Sequence, residues 1–418
     1  MDNRQILNFY KRQIENDFLL FWEKAVDEKN GGIFTCFNNQ GTELVSKNKY
    51  TWSQGRFIWL WSRLIQMIEK GEISGDQEQL KRQALNACNF LKKNVFLDNG
   101  NCAYMLDEVG NKMRSKEGVY DSSIYADCFV VIGFAEYAKA ASDENFLQLA
   151  FNTYYNIITR VQLGNFRTDP YPIPQNYKAH SILMIILNVT AELLTAARQF
   201  RHTKSKEFEM RIQNLINDIL NKFCRSDFTI CEMMPSQPNN ELLARHVNPG
   251  HTLECMWFVI DAAKKINILD KVVDKVAKIA MKTLELGWDQ EFGGLLRFVD
   301  YKGGRPTGDK KGYAYEQLII DTWDTKLWWP HSEALYSTLL LYYLTDDKVF
   351  LDWYRKFHSY VFSTFPNKDR QVGEWIQIRD RQGKPIDKVV ALPVKDPFHI
   401  LRNFILIVEL LYPMVEEK

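Results

Sequence analysis

What most restricts the fold of this chain is an alternation between two kinds of helix. Apolar periodicity predicts about twelve helices, starting near residues 3, 52, 76, 122, 143, 180, 204, 251, 268, 331, 347 and 398. Every second one is apolar nearly all round: FIWLWSRLIQMI, CFVVIGFAEY, ILMIILNV, CMWFVIDAA, ALYSTLLLYYL and FILIVELL. A helix without a polar face has to be enclosed by other protein. The helices between them are amphipathic; QEQLKRQALNACNFLKK sets Leu80, Ala84, Leu85, Cys88 and Leu91 on one stripe, with charge elsewhere. Six enclosed helices inside six amphipathic ones predict an all-α (α/α)6 barrel, a single catalytic domain over residues 1–418 with short β-hairpins in the loops at one mouth.

The loops repeat as well. An Asp, a few polar residues and a Gly recur in DEKNGGIF (27–34), DQEFGGLLRF (289–298) and NKDRQVGEWIQI (367–378), each between two helices. NGNCAYML at 99 and SDFTICEM at 226 are weaker copies, so an internal repeat of roughly 60 to 70 residues is expected. GGIFTCFNNQG reads as a short hairpin before the second helix.

Charge and cysteine content narrow the partners. With 53 basic and 52 acidic residues the net charge is +1, which offers no footprint for nucleic acid or an anionic membrane. Seven cysteines without a C-x-x-C pair suit a reducing compartment. The N-terminal MDNRQILNFYKRQIENDF is a charged amphipathic helix with no signal-peptide apolar core, so a cytoplasmic protein is expected. Aromatic residues make up 13% of the chain, more than packing alone requires, and such a surplus often lines sugar or base sites.

Polar residues interrupt the starts of the enclosed helices: Arg56, Asp127, His180, His251 with Glu254, His331 with Glu333, and His399. All fall at one mouth. Alone, His246 and His251 could merely cap a buried helix. Four of seven histidines, His246, His251, His331 and His399, at or just before these starts argue for a shared site, whereas His202 and His358 belong to the charged outer layer and should be solvated. In RHVNPGHTLE (245–254), Pro249 and Gly250 open a helix at about His251, so His251 and Glu254 share a face in a first turn of positive partial charge. A metal centre on His246, His251 and Glu254 is disfavoured, because the Pro-Gly break keeps the two histidines off one helix face.

At these residues the chain resembles the N-acylglucosamine 2-epimerase (renin-binding protein) family, essentially end to end. The resemblance rests on KYTWSQGR (49–56), SIYADCF (123–129), RHVNPGHTLE (245–254), GWDQEFGGL (287–295) and KLWWPHSEA (326–334), in that order. It departs from the family in ALPVKDPFHILR (391–402), where Leu392, Pro393 and Asp396 stand for glycines, and in a longer TGDKKGYAYEQLIIDTWD (307–324), expected to reshape the mouth.

The resemblance implies interconversion of N-acetylglucosamine and N-acetylmannosamine by a metal-free two-histidine reaction at C2, with His251 and His399 as the proton-transfer pair. Arg56 and Glu333 match essential positions, Glu254 is placed to assist His251, and the sugar is expected to meet Trp52, Asn248, His246, Trp328, His331 and His180. No cofactor is required; a nucleotide such as ATP enters only as the allosteric activator known in parts of the family, and no Walker-type loop is present. A homodimer is implied. The chemistry suits the residues: inversion at C2 needs one base and one acid on opposite faces, and histidine is half-protonated near neutral pH. The enediolate needs positive partners, which Arg56 and the helix N-termini supply. Within the same barrel the alternatives are a mannose isomerase or a cellobiose 2-epimerase. From other classes they are an inverting glycosidase on Glu254 and Glu333, or a non-catalytic binding protein.

Overall fold

The computed structural model describes residues 2–389 and 393–416, so Leu392 lies outside the described residues. The enclosed helices are Thr51–Glu69, Ile124–Ala141, His180–Gln199, Pro249–Lys265, Trp328–Thr345 and Phe398–Glu416, first to sixth inner helix below. Each packs on the next and the sixth returns to the first, which closes the ring. The outer helices are Asn3–Arg12 continued through Leu19–Lys24, Gln77–Asn94, Glu144–Leu163, Ser205–Asp218, Val273–Gly287 and Lys348–Thr364. The all-α (α/α)6 barrel read from the alternation is therefore the fold. Two inner helices, His180–Gln199 and Phe398–Glu416, have the length and apolarity to cross a membrane. In the fold both lie in the inner ring, and that position accounts for their composition.

The tightest crossing is set by two glycines. A Cβ at Gly55 would lie 2.2 Å from the Phe129 carbonyl oxygen, and one at Gly133 would lie 2.5 Å from that of Gly55. The first and second inner helices therefore touch backbone to backbone, and any larger residue there would force them apart.

Short antiparallel ladders hold the inner-helix starts at one end. Lys49–Tyr50 pairs with Met105–Leu106, Tyr177–Ala179 with Met233–Pro235, His246–Val247 with Val299–Asp300, and Lys326–Leu327 with Ile378–Arg379. Each ladder joins the strand before an inner helix to the loop after the following outer helix, which is the structural basis of the sequence repeat. Two recurring loops share an ion pair. Lys49 Nζ bonds Asp27 at 2.7 Å and Lys326 Nζ bonds Asp289 at 3.0 Å, all four side chains buried. Losing one partner of such a pair strands a buried charge and costs about 3–5 kcal/mol.

Three outer-layer readings are corrected. Leu85 is 40% exposed, because at 100° per residue it falls off the stripe of Leu80, Ala84, Cys88 and Leu91. His358 is packed among the rings of Phe9, Tyr354 and Phe362, and burial pushes its pKa down to about 4. His202 is half-buried on Phe151, and its Nδ1 accepts the Lys204 N–H. Amphipathic outer helices bury residues such as His358 at their seams, and charge content along the sequence does not show where the seams run.

Candidate active site

The inner-helix starts enclose a cavity of about 260 Å3, while a smaller one of about 100 Å3 lies among residues farther along the same helices, including Arg63, Lys139, Glu192 and Lys265. The inner helices are thus parallel, with their positive ends at the larger cavity. Trp52, Phe129, Phe258, Phe298, Trp328 and Trp329 give it apolar walls, and Arg56, Glu232, His251, Glu254, Asp396, His399 and Arg402 give it charge.

His251 is placed by its helix cap. Asn248 accepts the His251 N–H at 3.2 Å and Pro249 is the first helical residue. The imidazole Nδ1–H donates to Glu232 Oε1 at 2.7 Å, which leaves Nε2 to meet a ligand. Burial alone would lower the His251 pKa, but the charge and hydrogen bond of Glu232, with Glu254 beyond, raise it above the ordinary 6.5. Glu232 is buried, and its own pKa falls well below the usual carboxylate range: desolvation opposes this, and His251 and His180 outweigh it.

His399 has the same design and the opposite bias. Its Nδ1–H donates to Glu333 Oε1 at 2.7 Å, and its Nε2 lies 3.5 Å from Arg56 Nη2. Burial pushes its pKa down to about 3; Glu254 pulls it up, and the Arg402 and Arg56 guanidiniums push it down again. Each imidazole is held by its rear nitrogen on a buried carboxylate. The indole of Trp329 touches both rings, at centroid distances of 5.2 Å from His251 and 5.5 Å from His399. The cavity therefore pairs one imidazole biased to carry a proton with one biased to be free of it.

Arg402 ties the carboxylates together. Its Nη2 donates to Glu254 Oε1 at 2.5 Å and to Glu333 Oε1 at 2.6 Å, and Trp257 Nε1 donates to Glu333 Oε2 at 2.7 Å. Glu254, Glu333 and His399 offer ligand atoms within 4.8 Å of one another, and the Arg402 guanidinium already stands between the carboxylates as their cation. That spacing also disfavours an inverting glycosidase, whose two carboxyl groups stand roughly 6.5–9.5 Å apart across a water. Glu333 is fully buried behind His399, out of reach of a ligand.

Of the residues expected at the sugar, Trp52, Arg56, Asn248, His251, Glu254, Trp328 and His399 line the cavity. Three histidines expected to touch sugar, His180, His246 and His331, are not among the residues that line the cavity. His331 is buried with Nδ1–H donating to the Leu327 carbonyl at 2.6 Å and Nε2 accepting the Leu295 N–H at 2.8 Å, so it pins the fifth inner helix to a repeat loop. His246 is buried against Phe298 and Tyr315, its Nδ1–H on the Leu243 carbonyl. His180 lies behind Glu232, its Nδ1 3.6 Å from Oε2. Asp127 turns outward to Arg160 at 2.6 Å.

Glu232, Arg402 and Trp329 are the residues the sequence reading missed. Arg402 follows His399 by three residues, a spacing that puts both on one helix face. Glu232 gives no such signal, since a strand pairing brings it in. The longer segment forms the helix Ala314–Thr322, which adds Tyr315 and Leu318 to the cavity wall.

Known proteins share this fold along nearly its whole length. The chain is 28% identical over 411 residues to the N-acylglucosamine 2-epimerase of Mus musculus, covering 96% of this chain and 91% of that protein. The cellobiose 2-epimerase of Spirochaeta thermophila DSM 6192 superposes with a TM-score of 0.78 at 17% identity, covering 99% of this chain and 98% of the other. A D-mannose isomerase superposes with a TM-score of 0.76 at 15% identity, covering 96% and 98%. Residues 32–402, which hold both imidazoles, their carboxylates and the ladders that place them, match one family, and the chain belongs to the N-acylglucosamine 2-epimerase (GlcNAc 2-epimerase) family.

Proposed function

We propose that this chain, as a sugar epimerase or isomerase of that family, interconverts N-acetylglucosamine and N-acetylmannosamine. The observation that carries the proposal is the pair of imidazoles on buried carboxylates, with opposite protonation biases, around one indole. In the open-chain sugar, neutral His399 takes the C2 proton on Nε2, and the electron pair moves into a C1–C2 enolate whose C1 oxygen lies toward Arg56. Protonated His251 then returns a proton to the other face of C2. Glu232 and Glu333 hold the two rings in register, and no group outside the chain is needed for these steps.

The choice of sugar rests on three supports. The mouse relative bears that name and shares 28% identity across 96% of this chain. A cavity of about 260 Å3 with Tyr171 and Tyr315 in its wall suits one pyranose. Arg402, Arg56 and His251, three of the basic groups in the wall, each bond a carboxylate, which suits a sugar without charge.

The test is proton NMR in D2O with each acetylated sugar. Loss of the C2 proton signal with growth of the other epimer is expected. Faster turnover of mannose to fructose, or of cellobiose, would transfer the chain to the isomerase or cellobiose-epimerase reading. His251→Asn and His399→Asn should each abolish net epimerisation while the surviving base exchanges C2 deuterium into one epimer, a different one in each variant. Exchange of the same epimer by both would refute the opposed-base assignment.

A further inference from the structure

Asp396 is an acidic side chain in the wall of a site expected to stabilise an oxyanion. It is 4% exposed and lines the cavity. Its position is held from three sides. Gln377 Oε1 accepts the Asp396 N–H at 3.0 Å, and Gln377 Nε2 donates to the Asp396 carbonyl at 3.1 Å. Asp396 Oδ1 accepts the Phe398 N–H at 2.8 Å at the start of the sixth inner helix, and Oδ2 pairs with Arg56 Nη1. The carboxylate is therefore built into the site and does not swing free.

Arg56 is confined in turn. Its guanidinium lies 4.1 Å from the Phe129 ring centroid, 5.0 Å from that of Phe398 and 5.1 Å from that of Trp52, with Nη2 beside His399 Nε2. A buried guanidinium without a carboxylate would attract the nearest anion, because burial removes the water that otherwise satisfies it. Phosphate, with paired oxygens, matches the guanidinium fork especially well. Asp396 already fills one side of that fork.

We propose that Asp396 determines substrate specificity by pairing with Arg56: it denies the site to inorganic anions and phosphorylated or carboxylated sugars, and leaves Nη2 for the oxyanion that forms only during reaction. This rests on the proposed reaction for its meaning, but not for its test.

The test is calorimetric titration of inorganic phosphate into the whole protein, with Asp396→Asn and Asp396→Gly beside the native chain. Asn retains an oxygen for the Phe398 N–H, so it removes charge and keeps that hydrogen bond; Gly removes both, and thermal melting reports whether either variant is folded. Both variants should bind phosphate at least about tenfold tighter than the native chain, and Arg56→Gln in the Asp396→Asn background should abolish the gain. Equal phosphate affinity in folded native and variant proteins, or a gain that survives Arg56→Gln, would overturn the proposal. Failure of the native protein to epimerise acetylated sugars would sink the proposed function and leave this measurement standing.

Discussion

Glu232→Gln is the substitution that most directly tests how the imidazole pair works. Activity requires the pair to hold one proton between His251 and His399. Because the equilibrium between two neutral sugars does not depend on pH, kcat/KM must follow the same pH profile in both directions. The alkaline limb of that profile is loss of the shared proton, and it belongs to the pair. Glu232 holds that proton on the enzyme: its charge and its 2.7 Å bond raise the His251 pKa against burial. Gln keeps the shape and an acceptor oxygen but removes the charge, so burial prevails and the alkaline limb moves to lower pH. A hydrogen bond to a charged group is worth about 1.5–3 kcal/mol, which corresponds to a loss of roughly tenfold to hundredfold in kcat/KM above neutrality. The loss should shrink as pH falls and His251 regains its proton from solvent. The assay is initial rates from both epimers across pH 5.5 to 9.5. An equal loss at every pH, or an unmoved alkaline limb, would refute the role given to Glu232.

Three further outcomes are expected. His331→Gln should lower unfolding free energy by about 2–4 kcal/mol through the loss of two buried backbone partners, while KM for sugar stays within about twofold; a large rise in KM with unchanged stability would return His331 to the binding site. Acid should destabilise the fold early. His331 and His246 are fully buried, with pKa values held down to about 3 and about 4, whereas in the unfolded chain they titrate near 6.5, so below 6.5 the unfolded state binds protons that the folded state refuses. That amounts to about 2 kcal/mol per histidine between pH 6.5 and 5. His251 has the opposite sign: its stabilisation is fully present below 6.5 and is lost as pH rises through its folded pKa, so it does not cancel this slope. Urea unfolding at pH 7 and 5 checks the sum, and a flat stability would contradict the buried neutral state. Finally, Tyr315→Ala should open the wall where Tyr171 and Tyr315 meet at 5.4 Å and lower KM for a disaccharide by about tenfold; an unchanged ratio of disaccharide to monosaccharide kcat/KM would show that the pair sets no size limit.

The barrel was legible because enclosure leaves a mark on every residue of an inner helix, and the site was legible only where helical phase was respected. On five of the inner helices the cavity takes residues three or four apart: Trp52 and Arg56 on the first, Tyr125 and Phe129 on the second, Ser181 with Met184 and Ile185 on the third, His251 and Glu254 on the fourth, His399 and Arg402 on the sixth; the fifth gives the adjacent Trp328 and Trp329. At 100° per residue such spacings return to the same face, while a spacing of two lands about 200° away. Asp127 lies two residues from both Tyr125 and Phe129, and so turns to Arg160 in the outer layer. Phase does not sort His331 in this way: it follows the wall residue Trp328 by three, yet its ring clamps the Leu327 carbonyl and the Leu295 N–H behind the wall. Choosing polar residues by nearness to a helix start therefore gathered side chains of both phases. The same rule singles out Arg402, one turn after His399, as an inward residue from the sequence alone. Glu232 obeys no helical rule; it reaches His251 only because Met233–Pro235 pairs with Tyr177–Ala179 and holds the preceding residue at the mouth. Phase along a helix is local information and the sequence carries it, whereas which loop a short strand pairs with depends on the closed ring.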